Sequence, residues 1–284
     1  MPAWVNGLLV IGELCLLGVL ELRRPLRREV EPKLPRVARN LAISLLAAVT
    51  VRAAETPVVQ PLSRIVERRR IGLLKRLSMA PALETALAVA LMDYTLYLWH
   101  RLMHRSTTIW RFHLPHHVDL DLDVSTAVRF HFTELLLSVP WRAGQVVVIG
   151  VSPSALAVWQ TALMLSILFH HANVRLPIEL ERWLCRVVMT PRLHGIHHSI
   201  VRGEQETNFS SGLTLWDMLH GTLKLNVPQE KIVIGVAAYR DPCEVRLAPV
   251  LTMPFKEQRT TWRLPGNGEP SRGPIPVPAN RLLA

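Results

Sequence analysis

Residues 97–117 read YLWHRLMHRSTTIWRFHLPHH, and this stretch decides the fold class. It begins at the end of an apolar run over residues 82–99, which predicts a membrane helix with aromatic side chains at the headgroup boundary. If the helix continues, histidines spaced i, i+4 or i, i+3, i+4 lie on one helical stripe. The stretch carries five histidines in the motifs HRLMH and HLPHH: His100, His104, His113, His116 and His117.

Most of the other histidines also lie at the ends of apolar stretches or just beyond them. HGIHH repeats the i, i+3, i+4 spacing in the more polar region after residue 172. A helical hairpin that leaves one membrane face must return to it, so these groups should meet on one side. Apolar helices rarely place so many ionisable rings at a common depth without a use. Only His220 stands apart. The six further clustered histidines are His131, His170, His171, His194, His197 and His198.

Five apolar stretches predict an all-α, multi-pass transmembrane helical bundle with a cytoplasmic, histidine-rich metal-binding cap. Hydrophobic residues make up 49% of the 284 residues. Ser152-Pro153-Ser154 predicts a tight turn between the last two stretches. The second stretch contains Arg52 and Glu55, so whether it spans fully or only dips into the bilayer stays open. The stretches cover residues 3–22, 40–60, 82–99, 133–151 and 154–171.

The net charge of +11 favours anionic lipid headgroups or an acidic protein partner, and no nucleic-acid partner is predicted. The basic run Arg23–Arg28 predicts a cytoplasmic turn after the first helix. A second basic run, Arg64–Arg76, predicts an interfacial helix. If residues 40–60 span, this second run lies on the opposite face, against the charge rule. We favour spanning, which places the histidine-rich site on the cytoplasmic side.

Three regions are predicted along the chain: N-terminal membrane segments with a basic linker over 1–80, a catalytic domain over 81–263, and a disordered tail over 264–284 that is rich in proline and glycine. The three cysteines, Cys15, Cys185 and Cys243, form no CxxC pair. Neither a disulfide framework nor a thiolate site is expected, so any metal is held by nitrogen and oxygen.

The number of candidate ligands favours two metal ions, because a zinc peptidase or similar mononuclear site uses three protein ligands. Imidazole suits iron, copper, zinc or nickel, so the residues alone do not name the metal. The chain has no HExxH and no GxSxG motif. Two other functional classes stay open at this point: a zinc-type membrane metal-binding protein without redox chemistry, and a non-catalytic membrane scaffold.

The order HxxxH, HxxHH, HxxHH among apolar helices resembles the fatty acid hydroxylase superfamily, also called the sterol desaturase family. The resemblance covers about residues 90–222 and includes the segments around Asp93, Arg129-Phe130-His131 and Asn208-Phe209. It implies a diiron centre that activates O2 to hydroxylate or desaturate a C–H bond of a lipid, sterol or similar apolar substrate. It also implies an external electron donor of the ferredoxin or cytochrome type with its reductase. Zinc could occupy the site in purified protein.

The predicted ligands are the eight histidines of the three motifs together with His131 and His171. The resemblance falls on His171, directly before Ala172-Asn173, rather than on His170. Each ligand ring is expected to donate its other N–H to an acceptor. Asp217 could instead cap a helix, Asn208 could serve a turn, and Glu134 could pair with Arg129. The candidate acceptors are Asp93, Glu134, Asn173, Asn208 and Asp217.

Overall fold

The computed structural model describes residues 3–266 and 268–272. The described chain is helical, with isolated β-bridges and no extended strand. This confirms the all-α prediction. Its α-helices are α1 Ala3–Arg23, α2 Lys33–Thr50, α3 Thr56–Arg69, α4 Pro81–Arg105, α5 Thr107–His117, α6 Phe132–Ile149, α7 Pro153–His171, α8 Ile178–Leu184, α9 Pro191–His197, α10 Arg202–Gln205, α11 Leu215–Leu219 and α12 Leu247–Thr252.

Helices α2 and α3 form one continuous helical segment, joined by the π-helical turn Val51–Glu55. The run Arg64–Arg76 is therefore not a separate helix, and its position at the membrane interface stays a prediction. The first part of that run, up to Arg69, belongs to α3, which ends where Arg70 adopts a left-handed conformation with φ of 50°. Only a short 3-10 turn, Leu74–Arg76, follows.

Three helical segments of the described chain are long and apolar enough to cross a membrane. Leu8, Ile11 and Leu22 of α1 are exposed, as side chains facing lipid would be. Helices α4 and α6, which the sequence predicts as further passes, are not among the three, and both pack against neighbouring helices inside the bundle. The three segments are Trp4–Arg23, Lys33–Arg76 and Pro153–His171.

The turn between α6 and α7 marks the end of the bundle that lies away from the histidines. Gly150 ends α6 with φ of 88°, and the Ser152 hydroxyl accepts a hydrogen bond from the Ala155 amide at 3.1 Å, which starts α7. A Cβ on Gly72 would lie 2.4 Å from the Cα of Gly150, so the backbone after α3 packs directly on this turn. The second basic run consequently lies near this end.

The opposite end collects the basic turn after α1 and the C-terminus of α7. The Leu26 amide donates to the Asn173 carbonyl at 3.1 Å, and the Arg175 amide donates to the Arg24 carbonyl at 2.8 Å. The turn Arg23–Arg28 therefore lies on the same end of the bundle as His171. The N-terminal helices pack on the rest of the bundle: α1 contacts α7, α2 contacts α6, and α3 contacts both α6 and α7.

A buried ionic cluster joins the N-terminal helices to the loop that follows α5. Arg36 on α2 is 1% exposed and forms ion pairs with three aspartates of this loop. Arg39 pairs with the first of them at 2.9 Å. We call this set the aspartate cluster: Asp119, Asp121 and Asp123 with Arg36 and Arg39. It fixes where α5 ends relative to α2.

Part of the predicted disordered tail is bound to the folded chain at Glu204 and Lys231. Arg272 donates through Nη2 to Oε2 of the buried Glu204 at 2.9 Å and through Nη1 to the Lys231 carbonyl at 3.0 Å. The prediction for residues 264–284 does not hold at Arg272, because a buried carboxylate binds its guanidinium. Residues 267 and 273–284 lie outside the described residues.

Candidate metal centre

Nine histidines lie in two neighbouring groups whose ring nitrogens converge. Within each group, one nitrogen from every ring lies within 4.8 Å of the others. The groups adjoin each other, since the rings of His117 and His198 stack with centroids 4.3 Å apart. Group 1 contains His100, His104, His113, His117 and His197, and group 2 contains His116, His171, His194 and His198.

Each HxxHH motif contributes histidines to both groups, so its three rings do not form a single stripe that faces one site. In α5, His113 and His117 enter group 1 while His116 enters group 2. The HGIHH motif of α9 does the reverse, because His194 and His198 enter group 2 while His197 enters group 1. At about 100° per residue, positions i and i+4 lie about 40° apart and position i+3 lies about 100° from i+4. Two helices with this motif can therefore hold two sites between them.

Hydrogen bonds to the main chain fix the protonation of two rings in group 1. Nδ1 of His100 lies 2.7 Å from the Phe209 carbonyl, and Nδ1 of His197 lies 2.8 Å from the Thr207 carbonyl. A carbonyl oxygen only accepts, so each Nδ1 carries the hydrogen and each Nε2 of a neutral ring carries a lone pair. These two Nε2 atoms face each other at 3.1 Å. Two facing lone pairs repel unless a cation lies between them, so this arrangement fits a metal ion.

His113 has a carboxylate as its partner. Its Nδ1 lies 3.0 Å from Oε1 of the buried Glu134, so the ring donates to the carboxylate and keeps its Nε2 lone pair. That Nε2 lies 3.1 Å from Nε2 of His117. The predicted acceptor role of Glu134 for a candidate ligand agrees with this contact. Arg129, the alternative partner, donates instead to Pro115 and Asn40.

Group 2 repeats this pattern at the end of α7. Nδ1 of His171 donates to the Ile167 carbonyl one turn earlier at 2.8 Å, which leaves its Nε2 as an acceptor. This Nε2 lies 3.2 Å from Nε2 of His116 and 3.1 Å from Nε2 of His194. Nε2 of His198 approaches that of His194 at 3.1 Å. Four ring nitrogens thus converge on one point, as ligands of one ion do.

Burial keeps these rings neutral, which is the form that binds metal. Loss of hydration and, to a smaller extent, the neighbouring imidazoles lower the pKa of His197 to about 3, against the hydrogen bond to the Thr207 carbonyl, which raises it. The pKa values of His117, His194 and His198 fall well below their ordinary range for the same main reason. At neutral pH the rings are therefore unprotonated at the converging nitrogens, so no shared proton holds them together. Neutral imidazole nitrogens that converge in two groups suit two metal ions.

A cavity of about 150 Å³ opens from the histidine groups between α4, α6 and α7. Its walls are mostly apolar, with Leu96, Trp99 and Leu163 among the lining side chains. Histidines of both groups line it, including His100 and His116. Ligand pockets usually measure ~300–1,000 Å³, so this cavity has room for part of a lipid next to the histidines rather than for a whole lipid.

Residues 85–222 match the family model described as "Fatty acid hydroxylase". The chain carries a fatty acid hydroxylase domain. The match begins in α4 and ends after α11, so it includes all nine converging histidines. The family resemblance predicted from the three histidine motifs is thereby confirmed.

Curated relatives of this fatty acid hydroxylase domain modify lipids. The chain is 34% identical over 145 residues to the ornithine lipid hydroxylase OlsE of Rhizobium tropici, covering 50% of this chain and 42% of that protein. It is 28% identical over 180 residues to the alkylglycerol monooxygenase of Homo sapiens, covering 61% of this chain and 37% of that protein. The chain therefore spans about two fifths of the length of these relatives. No solved structure matches it significantly.

His131, a predicted ligand, does not join either group. It precedes α6, where its Nδ1 accepts from the Thr133 amide at 3.3 Å, and its Nε2 lies 3.2 Å from the Leu251 carbonyl. Its ring caps a helix and is engaged at both nitrogens, so we leave it out of the ligand set. His170 lines the cavity but lies outside both groups, in agreement with the preference for His171.

The other four predicted acceptors bind the main chain or other side chains instead of ligand rings. Asp93 accepts from the Leu213 amide at 2.9 Å and the Trp216 indole at 2.7 Å. Asn173 exchanges hydrogen bonds with the main chain of Arg27, and Asn208 with that of Lys224. All three were candidate acceptors for ligand rings, and each instead binds groups of a turn, which for Asn208 is the alternative role given above.

Asp217 acts one step away from a ligand. It accepts from the Phe209 and Ser210 amides, each at 2.9 Å, and so holds the turn whose Phe209 carbonyl binds His100. Sequence reasoning missed the carbonyls of Thr207 and Phe209, because any residue type can present a main-chain oxygen. The phenylalanine side chain also packs on the ring of His100, with centroids 5.7 Å apart.

The glycine of HGIHH has a packing role that the sequence pattern does not reveal. A Cβ on Gly195 would lie 2.2 Å from Nη1 of Arg27. That guanidinium is buried and donates to Oε1 of Gln229 at 2.6 Å and to the Pro191 carbonyl at 3.3 Å. The basic turn after α1 therefore packs directly on α9, and a side chain at Gly195 would displace the Arg27 guanidinium from these hydrogen bonds.

Proposed function

We propose that this protein is an O2-dependent, two-metal oxidoreductase that hydroxylates a C–H bond of a membrane lipid. The observation that carries the proposal is the convergence of nine histidines, eight of them buried, in two groups beside an apolar cavity. The family match and the relatives, which are lipid hydroxylases and monooxygenases, support the reaction class. Desaturation or oxidation of a sterol-like substrate starts from the same hydrogen abstraction and is an outcome that product analysis distinguishes.

The residues of the two groups would hold two iron ions, with group 1 and group 2 supplying five and four imidazoles. Iron bound there would activate O2 and supply the oxidising power for an unactivated C–H bond. The protein's own part is to fix the ring orientations through Phe209, Thr207 and Glu134 and to keep the rings neutral. The cavity walls orient the lipid chain and exclude water. Electrons come from an external donor of the ferredoxin or cytochrome type.

We further propose that the metal centre faces the cytoplasm. The basic turn Arg23–Arg28 and the C-terminus of α7 lie at the same end of the bundle as the histidines. The positive-inside rule favours the cytoplasm for such a turn. The second basic run, near Gly72 and Gly150, would then lie on the other side. Adding a reporter of cytoplasmic exposure after Arg24 tests this orientation.

The direct test of the function is anaerobic purification from iron-supplied cells, followed by metal quantification and lipid analysis. We expect about two metal ions per chain, mostly iron, and a product that gains one oxygen atom from O2 when an electron donor is present. Metal at that level without any O2-dependent product would favour the zinc-type metal-binding protein instead. Protein without metal would favour the scaffold.

Glu134 offers a test of the hydrogen-bond partner of a candidate ligand. We expect Glu134→Ala to lower metal affinity or turnover by ~10–100-fold, because His113 loses the acceptor that fixes its ring. Glu134→Gln should lose less, since its amide oxygen still accepts. Competition with a chelator measures the affinity. Glu29→Ala at an exposed carboxylate is the matched control, and equal effects of the two alanine variants would contradict the assignment.

A further inference from the structure

Arg142 is a buried cation on α6, in the wall of the cavity that the histidines line. It is only 8% exposed. A charge placed in an apolar helix bundle is costly and usually serves a function. Glu134, Ser138 and Arg142 follow one another at intervals of four residues along the cavity wall. The eight residues from Glu134 to Arg142 correspond to about 12 Å along the helix axis.

The partners of Arg142 leave part of its hydrogen-bonding capacity unused. Nη1 donates to Oε1 of Gln145 at 2.9 Å, and the guanidinium lies over the ring of Trp159, 4.2 Å from its centroid. Nε is buried and has no hydrogen-bond partner. The nearest carboxylate, Glu55, lies 3.9 Å from Nε, too far for a hydrogen bond. Glu55 belongs to the π-helical turn between α2 and α3, a type of turn often found at functional sites.

We propose that Arg142 binds an oxyanion of the substrate lipid, a carboxylate or a phosphate, inside the cavity. The inference rests on the proposed lipid function and names the substrate class: anionic lipids in preference to neutral ones. Trp159 and Gln145 hold the guanidinium in place. Its remaining N–H groups can donate hydrogen bonds to such an oxyanion. The oxyanion held there sets which carbon of the lipid lies beside the histidines.

The test measures lipid binding to metal-loaded protein in neutral detergent, without O2 or an electron donor. Oleate against methyl oleate isolates the carboxylate, and dioleoyl phosphatidic acid against dioleoylglycerol isolates the phosphate. We expect the wild type to bind at least one anionic lipid about 10-fold more tightly than its neutral counterpart, as charged hydrogen bonds allow. The pair that shows this preference identifies the oxyanion. Equal binding within both pairs would overturn the proposal.

Variants connect the preference to Arg142. Arg142→Gln should remove the preference, and Arg142→Lys should retain part of it because the charge remains but the fork is lost. Arg68→Gln, which removes an exposed arginine of α3, should leave it unchanged. A preference that survives in Arg142→Gln, with wild-type metal content, would refute the assignment.

A second variant decides the matter if Arg142→Gln does not fold. Glu55→Gln removes the carboxylate that competes for the same guanidinium, so binding of the preferred anionic lipid should tighten several-fold. Unchanged or weaker binding in Glu55→Gln would count against the proposal. Because the binding assay needs no turnover, these results are independent of whether an oxidised product is found. A bound anionic lipid with no oxidation would refute the proposed function and leave Arg142 as an oxyanion site.

Discussion

His197→Ala is expected to abolish lipid oxidation and to lower the metal content from about two ions to about one per chain. His197 belongs to group 1, and its Nδ1 is fixed by the Thr207 carbonyl at 2.8 Å. Loss of a ligand removes a bond to the metal itself, so the effect should exceed the ~10–100-fold that follows the loss of an outer hydrogen-bond partner. Elemental analysis and product formation measure the two effects.

His220→Ala is the matched control for this prediction. His220 lies outside both groups, and its ring contacts the hydroxyl of Tyr94 through Nε2 at 3.1 Å. Its replacement should leave the metal content unchanged. If His197→Ala kept full metal content and activity, the ligand assignment of group 1 would be wrong. If both variants lost metal equally, the loss would reflect general destabilisation.

Arg36→Gln is expected to destabilise the protein by about 3–5 kcal/mol, because it leaves buried aspartates of the aspartate cluster without their main cation. The cluster also involves Asp119, whose pKa burial alone would raise. Arg129, Arg36 and Arg39 together hold that pKa below its ordinary value. At 2–4 °C per kcal/mol for domains of 150–250 residues, the melting temperature should fall by roughly 6–20 °C.

Thermal unfolding of the two proteins in the same detergent measures this effect. Arg28→Gln, at an exposed position of the same N-terminal region, should shift the melting temperature little. The Asp119 contribution to stability is present above its unfolded pKa of about 3.9 and is lost as the pH falls through its lower folded pKa. A change below about 1 kcal/mol in Arg36→Gln would mean that the cluster is not a main support of α5.

Particular residues show why some site predictions failed. His131 has the right residue type and stands beside an apolar helix, yet its Nδ1 caps that helix by accepting from the Thr133 amide, and its Nε2 contacts the Leu251 carbonyl. Leu251 is 120 residues away in the sequence, so no local pattern could reveal this contact. Asp93 likewise binds Leu213 and Trp216, far along the chain. Glu134 contacts the candidate ligand His113 because it lies in the first turn of α6, directly after the loop that joins α5 to α6.

Other residues carried a signal that sequence reasoning did not use. The alternation of aspartates over residues 119–123, directly after HLPHH, marks the aspartate cluster, although its arginine partners lie about 80 positions earlier. Arg142 stands out as a cation inside an apolar stretch. Neither signal identifies a partner, since pairing across the bundle depends on how the helices pack.

The sequence by itself determined that the protein is helical, that its histidines cluster at the ends of apolar helices, and that it resembles the fatty acid hydroxylases. The spacing of the histidines and the periodicity of apolar residues are local properties, so they can be recognised in the sequence before the tertiary structure is known. Only the tertiary structure decided that residues 97–117 supply two neighbouring groups, because the i+3 ring of HLPHH turns away from its i and i+4 neighbours to meet α7 and α9. It also decided that carbonyls of Phe209 and Thr207 orient the rings, since main-chain acceptors leave no mark in the sequence.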